Sequence, residues 1–246
     1  MKLGLQGRVA LVTGASKGIG HAIAAELAAE GARVAMTARS ADRIAAAAEP
    51  LGALGLVHDG ADLDGAPALV ERVEAELGPI DVLVCNTGGP PGGEPLDFTR
   101  DQWRDAYESL VLGPMALVHA VVPGMRERGW GRIVNVVGTT VREPIPNLML
   151  SSVHRAGMIT GFKTVARDVA ADGVTLNSIL PGLISTERVT GLFGSEEAAA
   201  EAMGLPAGRL GTVEEMSAAA VFLCSERAGY ISGETLTVDG AATRSV

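Results

Sequence analysis

The strongest constraint on the fold is an alternation, along the whole chain, of short β-branched apolar runs with longer segments of helical periodicity. Such alternation predicts a parallel sheet with right-handed crossover helices on both faces. The predicted strands are Arg8–Val12, Arg33–Thr37, Gly55–His58, Asp81–Cys85, Arg132–Val137, Val174–Ile179 and Glu234–Val238. The predicted helices are Ile19–Glu30, Ala41–Ala48, Ala66–Glu76, Arg100–Val122, Met149–Ala171 and Val213–Cys224.

No Pro/Ser-rich or charged linker divides the 246 residues. We therefore predict a single α/β domain over residues 1–246, a doubly wound parallel sheet of Rossmann type with seven strands. Glycines follow several of the predicted helices, where a left-handed C-terminal cap is expected: Gly31, Gly78, Gly129 and Gly173. In such a sheet a ligand binds beyond the carboxyl ends of the strands, at the point where strand order reverses.

The turn Thr13–Gly20 carries three glycines between the first strand and the first helix. Gly14 permits a tight turn, Gly18 lets the backbone approach a pyrophosphate, and Gly20 lets the helix pack closely on the sheet. With Ser16 and Ile19 these residues lead into a helix N-terminus, whose unpaired N–H groups suit a phosphate. A glycine turn without a ligand is the alternative, but the strand–turn–helix context favours a dinucleotide.

The end of the second strand separates the two nicotinamide dinucleotides. An acid there binds the ribose 2′-hydroxyl of NAD, whereas an arginine accommodates the 2′-phosphate of NADP. The sequence has Ala38 at the position of the acid, followed by Arg39 and Ser40, and Lys17 adds a cation from the glycine turn. These are solvated charges on one interpretation; on the favoured one they bind NADP(H) in preference to NAD(H).

The overall charge excludes some partners. A net charge of -9 argues against nucleic acid and against an anionic membrane surface. The sequence shows no cationic leader and no continuous apolar run of the ~18 residues that a membrane span needs, so we expect a cytoplasmic protein. Cys85 and Cys224 lie in apolar runs without metal-ligand spacing, which predicts buried reduced thiols and no metal site.

Four segments together resemble the short-chain dehydrogenase/reductase family, and in particular its 3-oxoacyl-acyl-carrier-protein reductase-like members, over essentially the whole chain. They are Thr13–Gly20, Asn86-Thr87-Gly88, Pro181-Gly182 and Ser232–Gly240. The resemblance implies a small-molecule substrate and a homodimer or homotetramer formed through the two longest helices. It implies that Asp62 meets the adenine and that residues 186–206 form a mobile substrate loop. It also assigns residues to the cofactor more generally, namely Asn86 and Gly88, and to the nicotinamide, namely Pro181, Gly182, Ile184 and Thr186.

The sequence departs from the family at its chemical centre. Members usually carry an Asn-Ser-Tyr-Lys tetrad, and the matching positions here are Ser109, Gly138, Ser151 and Arg155. Reduction of a carbonyl makes an alkoxide that an acid must protonate. A serine hydroxyl is a far weaker acid than a tyrosine phenol, and arginine is always protonated, so it cannot relay a proton. Loss of the positioned acid typically removes about 10²–10⁴-fold of rate.

Several side chains are candidates to replace the missing groups. His154 lies one helical turn from Ser151, and Thr139 and Thr140 lie beside Gly138; Tyr107 lies on the helix of Ser109. His154 also fits a packing role and Tyr107 a core role. Arg155 is able to pair with the cofactor ribose or phosphate.

Three functions follow from these observations. The favoured one is an NADP-dependent oxidoreductase acting on a carbonyl or alcohol, with Ser151, His154, Thr139 or water in a rearranged centre beside Arg155. The second is a non-redox lyase, isomerase or cyclase on the same scaffold. The third is a nucleotide-binding protein without catalysis, in which Arg155 clamps the cofactor.

Overall fold

The computed structural model describes residues 1–187, 189 and 194–245. Within them the chain forms a seven-stranded parallel sheet in the order β3-β2-β1-β4-β5-β6-β7. The strands are β1 Val9–Val12, β2 Arg33–Ala38, β3 Leu54–Val57, β4 Val82–Asn86, β5 Gly131–Val136, β6 Val174–Pro181 and β7 Thr235–Val238. Strand order reverses between β1 and β4, so the carboxyl ends of these two neighbours open the crevice where a ligand is expected.

The helices cover both faces of the sheet, as predicted. They are α1 Gly18–Ala29, α2 Ala41–Ala48, α3 Gly65–Leu77, α4 Arg100–Tyr107, α5 Gly113–Arg128, α6 Met149–Val169, α7 Glu196–Ala202 and α8 Val213–Leu223. On one face α1, α2 and α8 bury Ile23, Ile44 and Met216 against the strands. On the other, α3, α5 and α6 form a second apolar layer that includes Val73 and Phe162.

The predicted helix Arg100–Val122 is wrong in two respects. Its backbone widens into a π turn at Glu108–Leu112, which separates α4 from α5; single π turns of this kind are frequent at functional sites. The helix also continues past Pro123 and ends only at Gly129, whose φ of 65° is left-handed. Gly129 therefore stops the helix, and Pro123 does not.

The stretch Arg100–Arg128 is, within the described part of the chain, the one helix long and apolar enough to cross a membrane. Its 29 residues meet that requirement by length and composition. Its apolar residues do not form one continuous run, because Gly113, Pro114 and His119 interrupt them. In this fold its inner side chains, including Leu117 and Met125, are buried in the core. A buried core helix can have the same length and apolar composition as a membrane span.

Two further expectations concern the cysteines and the substrate loop. Cys85 and Cys224 are buried and free, as predicted, and burial raises the pKa of each thiol to about 12. The predicted loop Thr186–Pro206 contains the helix α7, which Ser195 caps by accepting a hydrogen bond from the Ala198 amide at 3.1 Å. Residues 188 and 190–193 of this loop lie outside the described residues.

Candidate functional site

A cleft of about 1570 Å³ opens along the carboxyl edge of the sheet at the switch point. The glycine turn, the ends of β2 and β3, the loop after β4 and the π turn form its walls. Most of the predicted cofactor residues line it: Gly14, Ser16, Lys17, Gly18, Ile19, Arg39, Ser40, Asn86, Gly88 and Thr186. The structure therefore brings these residues together around one cleft, and their binding of a cofactor stays a prediction.

Asn86 fastens the glycine turn to the end of β4. Its Nδ2 donates to the carbonyl of Gly14 at 2.9 Å, and its backbone amide donates to Thr13 Oγ1 at 3.0 Å. Gly14 has a φ of 58°, and a Cβ there would overlap the Asn86 carbonyl oxygen. A Cβ on Gly20 would lie 2.5 Å from Asn86 Nδ2. Gly20 therefore lies beneath the turn, where it permits close packing without lining the cleft.

Basic residues gather where the second strand ends. Arg39 and Ser40 line the cleft, and Ser40 caps α2 by accepting a hydrogen bond from the Arg43 amide at 3.4 Å. Arg43 lines the same wall. Arg43 belongs to no motif, but its place in the first turn of α2, next to the capping residue Ser40, is a sequence feature that indicates phosphate binding. Lys17 Nζ donates to Glu187 Oε2 at 2.9 Å, so the predicted phosphate cation already has a carboxylate partner.

The expected contact of Asp62 with the adenine stays a prediction, and the structure gives Asp62 a different contact. Its Oδ1 accepts a hydrogen bond from the Gly65 amide at 3.0 Å, at the start of α3, and it does not line the cleft. His58, Asp59 and Gly60 line the cleft instead. Burial lowers the pKa of His58, against the opposing effects of Asp62 and Asp59. Spacing alone does not separate Asp59 from Asp62, because the loop conformation decides which one faces the cleft.

The residues after β6 divide into two groups. Thr186 lines the cleft, whereas Pro181, Gly182 and Ile184 do not. Gly182 donates its amide to the Val238 carbonyl at 2.9 Å, and a Cβ there would lie 2.6 Å from Asp239 Cβ. Ile184 is buried in the core and bridges to Gly211. These residues shape the backbone that leads to Thr186, and their expected contact with the nicotinamide stays a prediction.

Arg155 joins three elements behind the cleft. Its side chain is buried, with Nη1 donating to the Val136 carbonyl at 2.6 Å, at the end of β5. Nη2 donates to Thr87, to the carbonyl at 3.2 Å and to Oγ1 at 3.1 Å. Nε donates to Ser151 Oγ at 3.1 Å. Arg155 does not line the cleft, but Thr87 does, so the guanidinium supports the cleft wall from behind.

Comparisons with known proteins agree with this geometry. A family model described as Enoyl-(Acyl carrier protein) reductase matches residues 14–243. A 3-oxoacyl-(acyl-carrier-protein) reductase of Vibrio harveyi is 39% identical over 243 residues, which cover 97% of this chain and 98% of the relative. The chain belongs to the short-chain dehydrogenase/reductase family. It is therefore an NAD(P)-dependent oxidoreductase, as its sequence predicted.

Solved structures of the family have the same architecture. An L-sorbose reductase from Gluconobacter frateurii, complexed with NADPH and L-sorbose, has a TM-score of 0.94 with 33% identity over 100% of both chains. A 3-oxoacyl (acyl-carrier-protein) reductase from Agrobacterium tumefaciens, with NADP bound, has a TM-score of 0.91 with 32% identity, covering 97% of this chain and 95% of that one. The predicted Rossmann-type sheet is confirmed.

His154 and Tyr107, two candidates to replace the missing groups, pack against each other. His154 is buried, its Nδ1 lies 2.7 Å from the Leu150 carbonyl oxygen, and it does not line the cleft. Its ring packs on Trp103 and Tyr107, with centroids 5.4 and 6.1 Å apart. His154 therefore makes the packing contacts that one interpretation expects, and its role as a proton donor stays a prediction. Tyr107 is 44% exposed, so its predicted core role is wrong.

Ser109, Gly138 and Thr139 are the remaining residues at or beside the expected tetrad positions. Ser109 lies in the π turn and lines the cleft, but its Oγ donates to the Asp105 carbonyl at 2.8 Å. Gly138 has a φ of 154°, which L side chains rarely adopt, and a Cβ there would lie 3.9 Å from Thr140 Oγ1. Thr139 begins a short 3-10 turn and does not line the cleft. Thr140, rather than Thr139, is thus the hydroxyl next to the missing serine.

Proposed function

We propose that the protein is an NADP(H)-dependent oxidoreductase that interconverts a carbonyl and an alcohol, with Ser151 as the hydrogen-bond donor to the substrate oxygen and Arg155 as the cation behind it. The observation that carries the proposal is the 3.1 Å hydrogen bond from Arg155 Nε to Ser151 Oγ. Residues four apart lie on one face of a helix, and the family resemblance places this pair at the positions of the tyrosine and lysine.

The direction of this hydrogen bond matters for the chemistry. Because Ser151 Oγ accepts from the guanidinium, its own hydrogen can be donated to a substrate oxygen. A fixed cation beside the hydroxyl stabilises negative charge that develops on oxygen as the carbonyl is reduced. Ser151 is half-buried, whereas Arg155 is buried. Neither side chain is among the residues that line the cleft; we assign the contact with the substrate oxygen to the more exposed Ser151 hydroxyl, with the arginine acting through it as a positioning residue.

Serine is too weak an acid to replace a tyrosine phenol as the sole source of the proton. We therefore assign to Ser151 the orientation and stabilisation of the substrate oxygen, with the proton delivered from water. The bound nicotinamide supplies or accepts the hydride, and this chain's own residues hold the oxygen at which the negative charge develops. The expected cost of the replacement is slower turnover, not lost binding.

The preference for NADP(H) rests on charge at one wall of the cleft. Lys17, Arg39 and Arg43 line this wall together with the capped N-terminus of α2, whereas Ala38 stands where an NAD enzyme has its acid. The related reductases with NADPH or NADP bound support the same choice. A cytoplasmic location and a homodimer or homotetramer stay predictions.

The test is turnover by the purified protein and a Ser151→Ala variant. We expect NADPH oxidation with a carbonyl from a panel that includes a 3-oxoacyl thioester and L-sorbose. Ser151→Ala should lower kcat by about 10²-fold with an unchanged Kd for NADPH, since the donor acts mainly in the transition state. Ser151→Thr, which keeps the hydroxyl, should retain most of the activity.

NADPH binding without turnover of any carbonyl or alcohol would exclude an oxidoreductase. The non-redox alternative on this scaffold would then be favoured. Undiminished kcat in Ser151→Ala would leave the oxidoreductase assignment intact but remove Ser151 from it.

A further inference from the structure

An ion pair crosses the opening of the cleft between the glycine turn and the segment after β6. Lys17 Nζ donates to Glu187 Oε2 at 2.9 Å, and both residues line the cleft. The segment lies directly against the turn, since a Cβ on Gly18 would be 3.7 Å from Thr186 Cγ2. The two side chains are 63% and 80% exposed, so the pair is open to solvent and to an incoming ligand.

The carboxylate of Glu187 stands among the cations that favour a phosphate. Its pKa is lowered, first by the hydrogen bond and the charge of Lys17 and to a smaller extent by the charge of Arg43. Arg39 and Arg43 line the same wall. A monoester phosphate carries about -1.5 to -2 charges near neutral pH and needs the same donors. The carboxylate and the phosphate therefore meet the same cations.

We propose that Glu187 is a specificity-determining residue, whose carboxylate competes with the 2′-phosphate of NADP(H) for Lys17. This inference rests on the proposed use of NADP(H). A phosphate that contacts Lys17 shares the ammonium with Glu187 or displaces it, and in either case the phosphate lies near a carboxylate of like charge. NAD(H) has a 2′-hydroxyl at this position, so its binding does not disturb the pair. Lys17, Arg39 and Arg43 raise the affinity for NADP(H) over that for NAD(H), and Glu187 makes this difference in affinity smaller.

The size of the effect follows from the exposure of the pair. Solvent-exposed ion pairs contribute little, and breaking one corresponds to about a two- to fivefold change in an equilibrium constant. We therefore expect Glu187→Gln to tighten NADPH binding by about two- to fivefold and to leave NADH binding unchanged. Because surface charges are screened by salt, the gain should shrink as the ionic strength rises.

The experiment is a titration of the full chain with NADPH and with NADH at low and high salt. It uses the wild type, Glu187→Gln, Lys17→Gln and the double variant. Glu187→Gln should tighten NADPH binding only where Lys17 is present, so the two substitutions should be non-additive. Glu214→Gln is the matched control, because it removes another exposed acidic side chain from the same cleft. It should change the NADPH Kd less than Glu187→Gln does.

The possible outcomes distinguish a failure of the Glu187 inference from a failure of the proposed function. An unchanged NADPH Kd in Glu187→Gln, an equal change for NADH, or the same gain without Lys17 overturns the inference and leaves NADP(H) binding in place. Wild-type protein that binds neither nucleotide overturns the proposed function and the inference together.

Discussion

Two neighbouring residues at the end of β4 support the two halves of the site, and they do so in different ways. Asn86 holds the glycine turn through the carbonyl of Gly14, whereas Thr87 holds the guanidinium of Arg155. The nucleotide half depends on backbone shape, which only glycine satisfies at Gly14. The proposed catalytic half depends instead on side-chain hydrogen bonds, which Arg155 donates to Val136, Thr87 and Ser151. One half of the proposed site therefore rests on backbone conformation and the other on side-chain contacts.

The largest effect is expected from Gly14→Ala in the nucleotide half. Alanine there combines a left-handed backbone, which costs about 1–2 kcal/mol, with an overlap on the Asn86 carbonyl that adds about 1–3 kcal/mol. We expect the free energy of unfolding to fall by about 2–5 kcal/mol and NADPH binding to weaken strongly. Urea denaturation and nucleotide titration measure the two effects.

Gly52→Ala is the matched control for this prediction. Gly52 has nearly the same φ, 59° against 58° at Gly14, but a Cβ there would have nothing within 4 Å. It should lose only the conformational part, about 1–2 kcal/mol, and bind NADPH normally. Equal losses in the two variants would show that close packing under the turn contributes nothing, and the contrast between the halves would fail.

The next effect is expected from Arg155→Ala in the catalytic half. The substitution leaves the Val136 carbonyl and the Thr87 side chain without their buried donor. An unsatisfied buried group costs about 1–3 kcal/mol. Because Val136 is buried whereas Thr87 is half-buried and lines the cleft, we expect a total loss of about 1–3 kcal/mol. Arg155→Lys should recover only part of it, because one ammonium cannot reach all the oxygens that a planar guanidinium spans.

Nucleotide binding decides between the two roles considered for Arg155. A supporting role predicts that stability falls while the Kd for NADPH changes little under conditions in which the variant is folded. A cofactor clamp predicts the reverse, a large rise in Kd with stability unchanged. The second result would assign Arg155 to nucleotide binding, and the contrast between the two halves of the site would no longer hold.

Much of the fold was predictable because it follows from periodicity and glycine placement. The strands, their parallel sheet and the cleft at Thr13–Gly20 follow from local rules. The orientation of side chains around α6 was not predictable in the same way. At about 100° per residue, His154 and Arg155 diverge on either side of Ser151. Only the packing of Trp103 on His154 shows that the histidine faces α4 and the arginine faces the sheet.

The rest of the site depends on loop conformation. Asp59 faces the cleft and Asp62 holds the start of α3, although the sequence treats the two acids alike. The place of Arg43 and Glu187 in the cleft was not predictable, because only the tertiary structure brings α2 and the segment after β6 to the same cleft. Spacing predicts which element carries a residue; tertiary packing determines which side of a loop meets the ligand.

The smallest effect tests the residue that joins the two halves. Thr87→Val removes the hydroxyl that accepts from Arg155 Nη2 at 3.1 Å, but the Thr87 carbonyl still accepts from the same nitrogen at 3.2 Å. We therefore expect a loss of only about 0.5–1.5 kcal/mol in the free energy of unfolding, the net value of a single hydrogen bond. Thr164→Val, at an exposed position of α6, removes a hydroxyl bonded only within its own helix and should stay within about 0.5 kcal/mol of wild type. If Thr87→Val also lowered kcat as much as Ser151→Ala, Thr87 would orient Arg155 for catalysis through its hydroxyl. An unchanged kcat would show that the carbonyls of Thr87 and Val136 suffice to hold the guanidinium behind Ser151.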